Sequence, residues 1–418
     1  MTRSNTNQRG TALISAVSLA VVASGALPRD DDDRHLARGA RAPEQGRNGL
    51  HGDLPNSGLS LSRAEHLAAK DLDGNRIGNT EGNISGGDYK VESTKLDNTH
   101  YRLVGTGVYG LERRTVESII EINVINANPF SYAIFGQDWV TVNGGSKGDA
   151  YDSSKGSYAS QAVNKDKYGN TIAMWGCDVS SNGPITVSGT GTTIDGNVQP
   201  GVGDSTSVNG GAKVDGSTAP LDKDMDLPPI DTDVVYNSDG TVKAGLKNYS
   251  SWTKSGNASV DSGGNVVIGN GGKLTIPDGT YWVNSIKITN NGTLAVSGKV
   301  TLYVAHKVDG TGGSILNESG IPGNLLILGL GDESKNPSDS ISISAKNGLY
   351  AAIYAPKEGL TVQGGGSFYG AVVGKSVKDT GGSAFHFDEA LKNLIGGVKG
   401  KNTVKQISWR RIANDQAP

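Results

Sequence analysis

Three kinds of apolar pattern succeed one another along the chain. The first is a continuous run, TALISAVSLAVVASGAL from Thr11 to Leu27, without a charge. As a helix rising 1.5 Å per residue it spans about 26 Å, the short end for a membrane crossing. The second is helical. In GLSLSRAEHLAAKDL (58–72), Leu61, Ala64, Leu67, Ala68 and Leu72 share one face, which predicts a short amphipathic helix. The third is alternation. DYKVEST, HYRLVGTGVYG and RRTVESIIEINVI, within 88–126, put apolar and β-branched residues at every second position. They predict a small antiparallel meander.

From Phe130 to Phe387 the alternation breaks into shorter pieces: ITVSG (185–189), TTIDGNVQPG (192–201), NVVIGNGGKLTIPDGTYWV (265–283) and SIKITNNGTLAVSGKVTLYV (285–304). Runs this short between Gly and Asn turns are too closely spaced for an ordinary sandwich. They predict a β-solenoid, whose coils stack short parallel strands and turn on residues that accept positive φ. No strict repeat is visible, so the coils are expected to be irregular. Pro-rich LPPIDTD (227–233) reads as a linker or a loop thrown out of the solenoid. AFHFDEAL (384–391) reads as the start of a helix capping its open end, with His386 a packing or capping residue.

The resulting fold class is mainly β, with an N-terminal membrane helix, a small α+β stalk and an irregular β-helix with a C-terminal capping helix. The expected boundaries are a leader at 1–10, an apolar helix at 11–27, a linker at 28–57, an α+β region at 58–128 and a solenoid at 129–391. The solenoid carries an insertion near 218–252, and 392–418 is a tail. Linker 28–57 includes four consecutive acids, Asp30 to Asp33, and has the polar composition of unstructured chain.

Composition narrows the function classes. With 61 Gly, 5 Phe and 3 Met among 418 residues, the core is thin and built from Val, Ile and Leu. A formal net charge of −3 gives no bulk attraction to nucleic acid. Cys177 is alone, so no internal disulfide staples the chain, and the residue reads as a small buried hydrophobe.

The N-terminus carries Arg3 and Arg9 and no acid before the apolar run, so the basic flank is expected to stay cytoplasmic and the rest to be exported. Two processing routes are open. A signal peptide would be cut near Ala23 to Ala26. Alternatively, Arg9-Gly10-Thr11-Ala12-Leu13-Ile14 resembles the prepilin leader, in the degenerate R-G-x-A-L-I form of PilX-type minor pilins. That resemblance implies cleavage between Gly10 and Thr11, although Ser15 stands where major pilins carry Glu. Four further strings resemble PilX-like pilus-assembly proteins: Arg114-Thr-Val-Glu, Ala352-Ile-Tyr-Ala-Pro356 within LYAAIYAP, Ser367-Phe-Tyr-Gly-Ala-Val-Val-Gly374 and Phe385-His-Phe-Asp-Glu-Ala-Leu391. The resemblance implies a membrane-anchored, exported structural or adhesive part of a type IV pilus-like or cell-surface assembly. Its implied partners are the inner membrane, pilin or pseudopilin subunits, prepilin peptidase and a surface polysaccharide. It carries over no catalytic, cofactor or metal residue.

Enzyme signatures are weak throughout. Gly370-Ala-Val-Val-Gly-Lys-Ser376 is one residue short of a phosphate-binding loop. Asp222, Asp224 and Asp226, like Asp71, Asp73 and Asn75, start as calcium loops do, but Leu227 and Arg76 occupy the position that needs Gly. The His spacing suggests no zinc site. The alternative function is a secreted carbohydrate-active or carbohydrate-binding β-helix. It needs carboxylates such as Asp195, Asp215, Asp261 or Asp309 to converge on one sheet face; each also suits a turn.

Overall fold

The computed structural model describes residues 45–68, 71–72, 74–125, 128–394 and 396–412. Gly10, Thr11, the apolar run 11–27 and the first part of the linker lie outside the described residues. Within them, no helix is long and apolar enough to cross a membrane. The chain divides into two compact units. One holds the residues up to Asn126 together with those from Gly400 on, and the other is Ala127–Lys399.

The first unit lays one helix on an antiparallel sheet. Helix α1 (Gln45–Ala68) is followed by β1 (Thr80–Ile84), β2 (Gly87–Lys95), β3 (His100–Tyr109) and β4 (Glu112–Ile125). The alternation in 88–126 is therefore the predicted meander. The helix begins well before Gly58, inside the expected linker, and contains Pro55. Packing outweighs its poor helix composition. The sheet offers glycines to that face: a Cβ on Gly107 would meet Leu54 Cβ and Pro55 Cδ at 2.8 Å. Leu59 fills the core with Val91, Leu103, Val116 and Ile120.

Residues read as a tail complete this sheet. Lys401–Ile412 pairs antiparallel with β4, from Lys401↔Ile125 to Ile412↔Thr115, with a bulge between Gln406 and Ser408. Glu117, buried on β4, fastens it: Arg410 Nε donates to Glu117 Oε1 at 2.8 Å, and Arg102 of β3 donates to Oε2. Burial pushes the Glu117 carboxyl up, but the two guanidiniums outweigh it and hold it below its usual range.

The second unit is a solenoid-like stack of parallel strands. One inward row shows its construction. Val266 pairs with Ile286, Ile286 with Val308, Val308 with Ile341, Ile341 with Leu360 and Leu360 with Val377. Val377 pairs with Val140, Val140 with Ile185 and Ile185 with Thr206. Every member except Thr206 is at most 1% exposed. The row is not in chain order. The first coil, with strands Ile134–Val142 and Lys147–Tyr151, lies mid-stack, between coils that end at Asp388 and coils that begin at Val179.

The chain thus runs from the middle to one end, crosses to the other end, and winds back. Residues 218–252 make the crossing as a strap, not as a loop thrown out. Leu221 N donates to Pro200 O, Asn182 exchanges two bonds with Met225, Tyr354 Oη donates to Pro228 O, and Tyr249 Oη donates to Trp282 O. These partners are met in order along the stack, from the coil of Pro200 to that of Trp282. Proline suits the strap because it needs only its carbonyls satisfied. Val235 and Trp252 anchor it in the core. At the far end Thr253–Val260 turns antiparallel onto Asn265–Val283 and closes the stack.

No capping helix forms at 384–391. Ala384–Asp388 is a strand paired with Lys147–Tyr151, followed by a short 3-10 turn, Glu389–Asn393. A coil that finds a neighbour on both sides has no end to cap. For the first unit, Glu117→Ala leaves two guanidiniums facing each other without their carboxylate. It should cost about 1–3 kcal/mol, less than the ~3–5 kcal/mol of a broken fully buried pair, because the arginines are partly exposed. Hydrogen exchange checks this: amides of β3, β4 and Lys401–Ile412 should lose protection while those of the solenoid keep theirs.

Candidate functional site

Where the first and last coils meet, one row of side chains carries most of the solenoid's polar chemistry. Tyr350 pairs with Tyr369, Tyr369 with His386, and His386 with Asp149. Asp195 and Asp215 continue the row, each one residue beyond the aligned Gly148, Ile194 and Val214. The aromatic part is a stack: Tyr350 and Tyr369 lie 4.2 Å apart at 6°, and His386 lies 4.7 Å from Tyr369.

An excursion from the first coil folds over the acidic part. Asp152 caps a 3-10 turn, and Ser157 caps α2 (Tyr158–Gln161). These caps set Tyr158 against His386, ring centres 3.8 Å apart. Asp149, buried, accepts three hydrogen bonds: from Tyr158 Oη at 2.8 Å, Ala173 N at 2.8 Å and His386 Nδ1 at 2.5 Å. A buried carboxylate with three donors is well satisfied. Chemically it holds the His386 ring in place and ties the last coil to the first.

Asp195 is different. It is 2% exposed, and its Oδ1 has no hydrogen-bond partner. Burial pushes its carboxyl up to about 7, and the charges of Asp166, Asp149 and Asp215 add to the shift. Asp215 itself pairs with Lys167. Two further carboxyls are buried elsewhere in the stack. Burial raises Glu358 to about 8, against the Gly331 N–H it accepts, with Asp339 and Glu333 adding charge. Asp379 is pushed up to about 7 by burial, with Ser146 and Ser383 pulling the other way.

The remaining sequence candidates are placed as follows. Cys177 is fully buried, burial pushes its thiol well up, and Sγ lies 3.7 Å from Phe385 O. Gly370 to Ser376 lie in the extended strand Ser367–Asp379, and Lys375 is ion-paired with Asp138 and Glu333. Asp71 accepts from the N–H groups of Gly74, Asn75 and Arg76, and Asp224 accepts from Val202 N. Asp261 sits in a turn, bonded to Asn265, whereas Asp309 lies within the strand Val308–Gly310 and accepts from Thr311. Among the described residues, no group of three or more His, Cys, Asp or Glu is placed to hold a metal ion. Asp149 and Tyr158, central to the row, carry no sequence signal. Coil register aligns Asp149 with His386, and the capped excursion brings Tyr158 onto it.

Another concavity lies on the first unit, on the sheet face away from α1. It measures about 810 Å³ and is lined by Glu81, Asp88, Lys90, Glu92 and Arg113 around Val104 and Val108.

A family described as a domain of unknown function, DUF7305, matches residues 180–394, just over half of the chain. The chain belongs to this family. The match takes in the strap, the far end and the coils that return to the seam. Among solved structures, the competence-associated pilin ComZ from Thermus thermophilus is similar at 14% identity. That match covers 90% of this chain and 99% of the other, with a TM-score of 0.32. A score that low carries no argument about fold or function. No curated protein matches the chain.

Two outcomes follow from the buried acids. Asp195, Glu358 and Asp379 hold their protons to pH 7–8 when folded, whereas unfolded they release them near pH 4. The folded state therefore binds more protons between those values. The stability these three carboxyls contribute is full below about pH 4 and is lost as pH rises toward 8. Urea midpoints should be higher at pH 5 than at pH 8.5, and Asp379→Asn should flatten the difference; a higher midpoint at pH 8.5 contradicts this reading. Separately, Asp149→Ala strands the Tyr158 hydroxyl and the Ala173 N–H. A loss of about 2–4 kcal/mol is expected, read as a lower thermal midpoint.

Proposed function

We propose that this chain is an exported, membrane-anchored surface protein associated with a type IV pilus-like or other cell-surface assembly. Its role is structural or adhesive: the solenoid is the displayed module and the helix-and-sheet unit is its mount. The observation that carries this reading is the connectivity. The solenoid is inserted between β4 and the strand Lys401–Ile412, which are neighbours in the sheet of the first unit. The mount has one helix packed on an antiparallel meander, preceded in sequence by the uncharged run 11–27. That is the order of parts expected of a pilin-like subunit, and the R-G-T-A-L-I leader and PilX-like strings point the same way. In this proposal Gly10–Thr11 is the cut made by prepilin peptidase, the inner membrane holds the apolar run, and pilin or pseudopilin subunits are the assembly partners.

A second reading rests on a different observation. Asp149, Asp195 and Asp215 lie in one row on consecutive coils, as a carbohydrate-active β-helix needs. Against it, Asp149 is fully engaged by donors and Asp215 by Lys167.

One experiment separates them. Native protein recovered from membrane or sheared-filament fractions, with Thr11 as its first residue, supports the pilus-type reading. A soluble exported form starting near Ala26, which cleaves a surface polysaccharide and loses that activity in Asp195→Asn, overturns it in favour of the second.

A further inference from the structure

The two ends of the solenoid are finished differently. At the far end, Thr253–Val260 closes the stack, and Tyr249, Trp252 and Tyr281 cover it, with ring centres 4.8 and 5.2 Å apart. The free edge of that strand is guarded. It carries Lys254, and a register shift at Gly256, whose φ is 59°, breaks the ladder. A charge and a bulge are the usual devices that stop an edge strand from pairing further.

The other end guards only one of its two strands: Lys213 opens the second, and Tyr168 Oη donates to Val214 O there. Its last coil contributes Thr206–Asn209 and Lys213–Val214, each paired on one side only among the described residues. The inward row that is buried everywhere else comes to the surface here. Val187 is fully buried, and Val208, its partner one coil on, is 40% exposed. The strand Thr206-Ser207-Val208-Asn209 contains no charge, no proline and no bulge. Asp204 precedes it and Lys213 follows it.

We propose that this end is an interface at which two copies of the chain meet about a two-fold axis, with Thr206–Asn209 of each copy pairing antiparallel with that of the other. Three observations select a second copy. An antiparallel strand is how this chain closes its own far end. A two-fold axis at Ser207 gives that arrangement at once, setting Ser207 opposite its own copy and Thr206 opposite Val208, because an isologous contact uses the same patch twice. The same axis brings each Asp204 toward the strand end that the partner's Lys213 follows, so the flanking charges are complementary. Pairing satisfies the outward backbone groups and covers both Val208 side chains.

The test is sedimentation of the full chain, kept in density-matched detergent. The wild type is expected to sediment as a concentration-dependent dimer. Val208→Lys and Ser207→Pro should each raise the dimer dissociation constant at least about tenfold. Lys254→Ala, at the guarded end, should leave it unchanged. Val208 is already partly exposed, so the urea midpoint of Val208→Lys should stay at the wild-type value. Ser207→Cys provides a second route that does not depend on weakening the contact: mild oxidation should trap a covalent dimer. A wild type that stays monomeric to about 100 µM overturns the proposal. So does a dimer insensitive to both Val208→Lys and Ser207→Pro. Open-ended oligomers in place of a dimer overturn the two-fold arrangement.

Discussion

Coil-on-coil stacking of small aliphatic side chains is the interaction on which the solenoid depends. The row from Val266 through Val377 and Val140 to Ile185 stays dry because each member has a neighbour above and below. A single coil cannot bury these residues; only the stack can. That requirement explains why so few large side chains suffice. It also explains the strap, since a first coil lying mid-stack forces the chain to cross from one end to the other. Met225, Leu227 and Ile230 then do for the strap what the inward row does for the coils.

Polar groups are tolerated inside this stack in two ways. Asp149 is surrounded by donors, and it joins coils far apart in sequence. Burial instead raises the carboxyls of Asp195, Glu358 and Asp379, disfavouring a charge that would stand without a partner in the core. The first unit solves the same problem with opposite charge, clamping Glu117 between Arg102 and Arg410. Each solution follows local supply: the first unit has arginines on adjacent strands, whereas the buried carboxyls of the stack meet hydroxyls, N–H groups and further acids.

Much of the architecture was legible in the sequence, and what was missed is long-range. Period-two alternation located β2 to β4, and short Val/Ile runs between Gly and Asn turns located the parallel coils. Lys401–Ile412 escaped because its partner β4 lies most of the chain away. AFHFDEAL has apolar positions compatible with a helix, yet a free strand in the first coil captured it. The early start of α1 depended on glycines in strands not yet formed. Asp195 and Asp215 carry clear turn signals, but Asp149 joins them only through a register that no local pattern encodes.

Placing the first coil in the middle has a consequence for how the chain reaches its fold. Ile134–Val142 is made early, yet one of its flanking partners, Ser367–Asp379, is among the last strands to emerge. The contact order of that pairing is high, and such closures are slow. Until the last coil arrives, the first coil shows an open edge and an uncovered aliphatic row to whatever surrounds it. Completion of the stack is therefore a C-terminal event. A chain interrupted before its final coil would retain a sticky face at its centre, where a full-length chain has its seam.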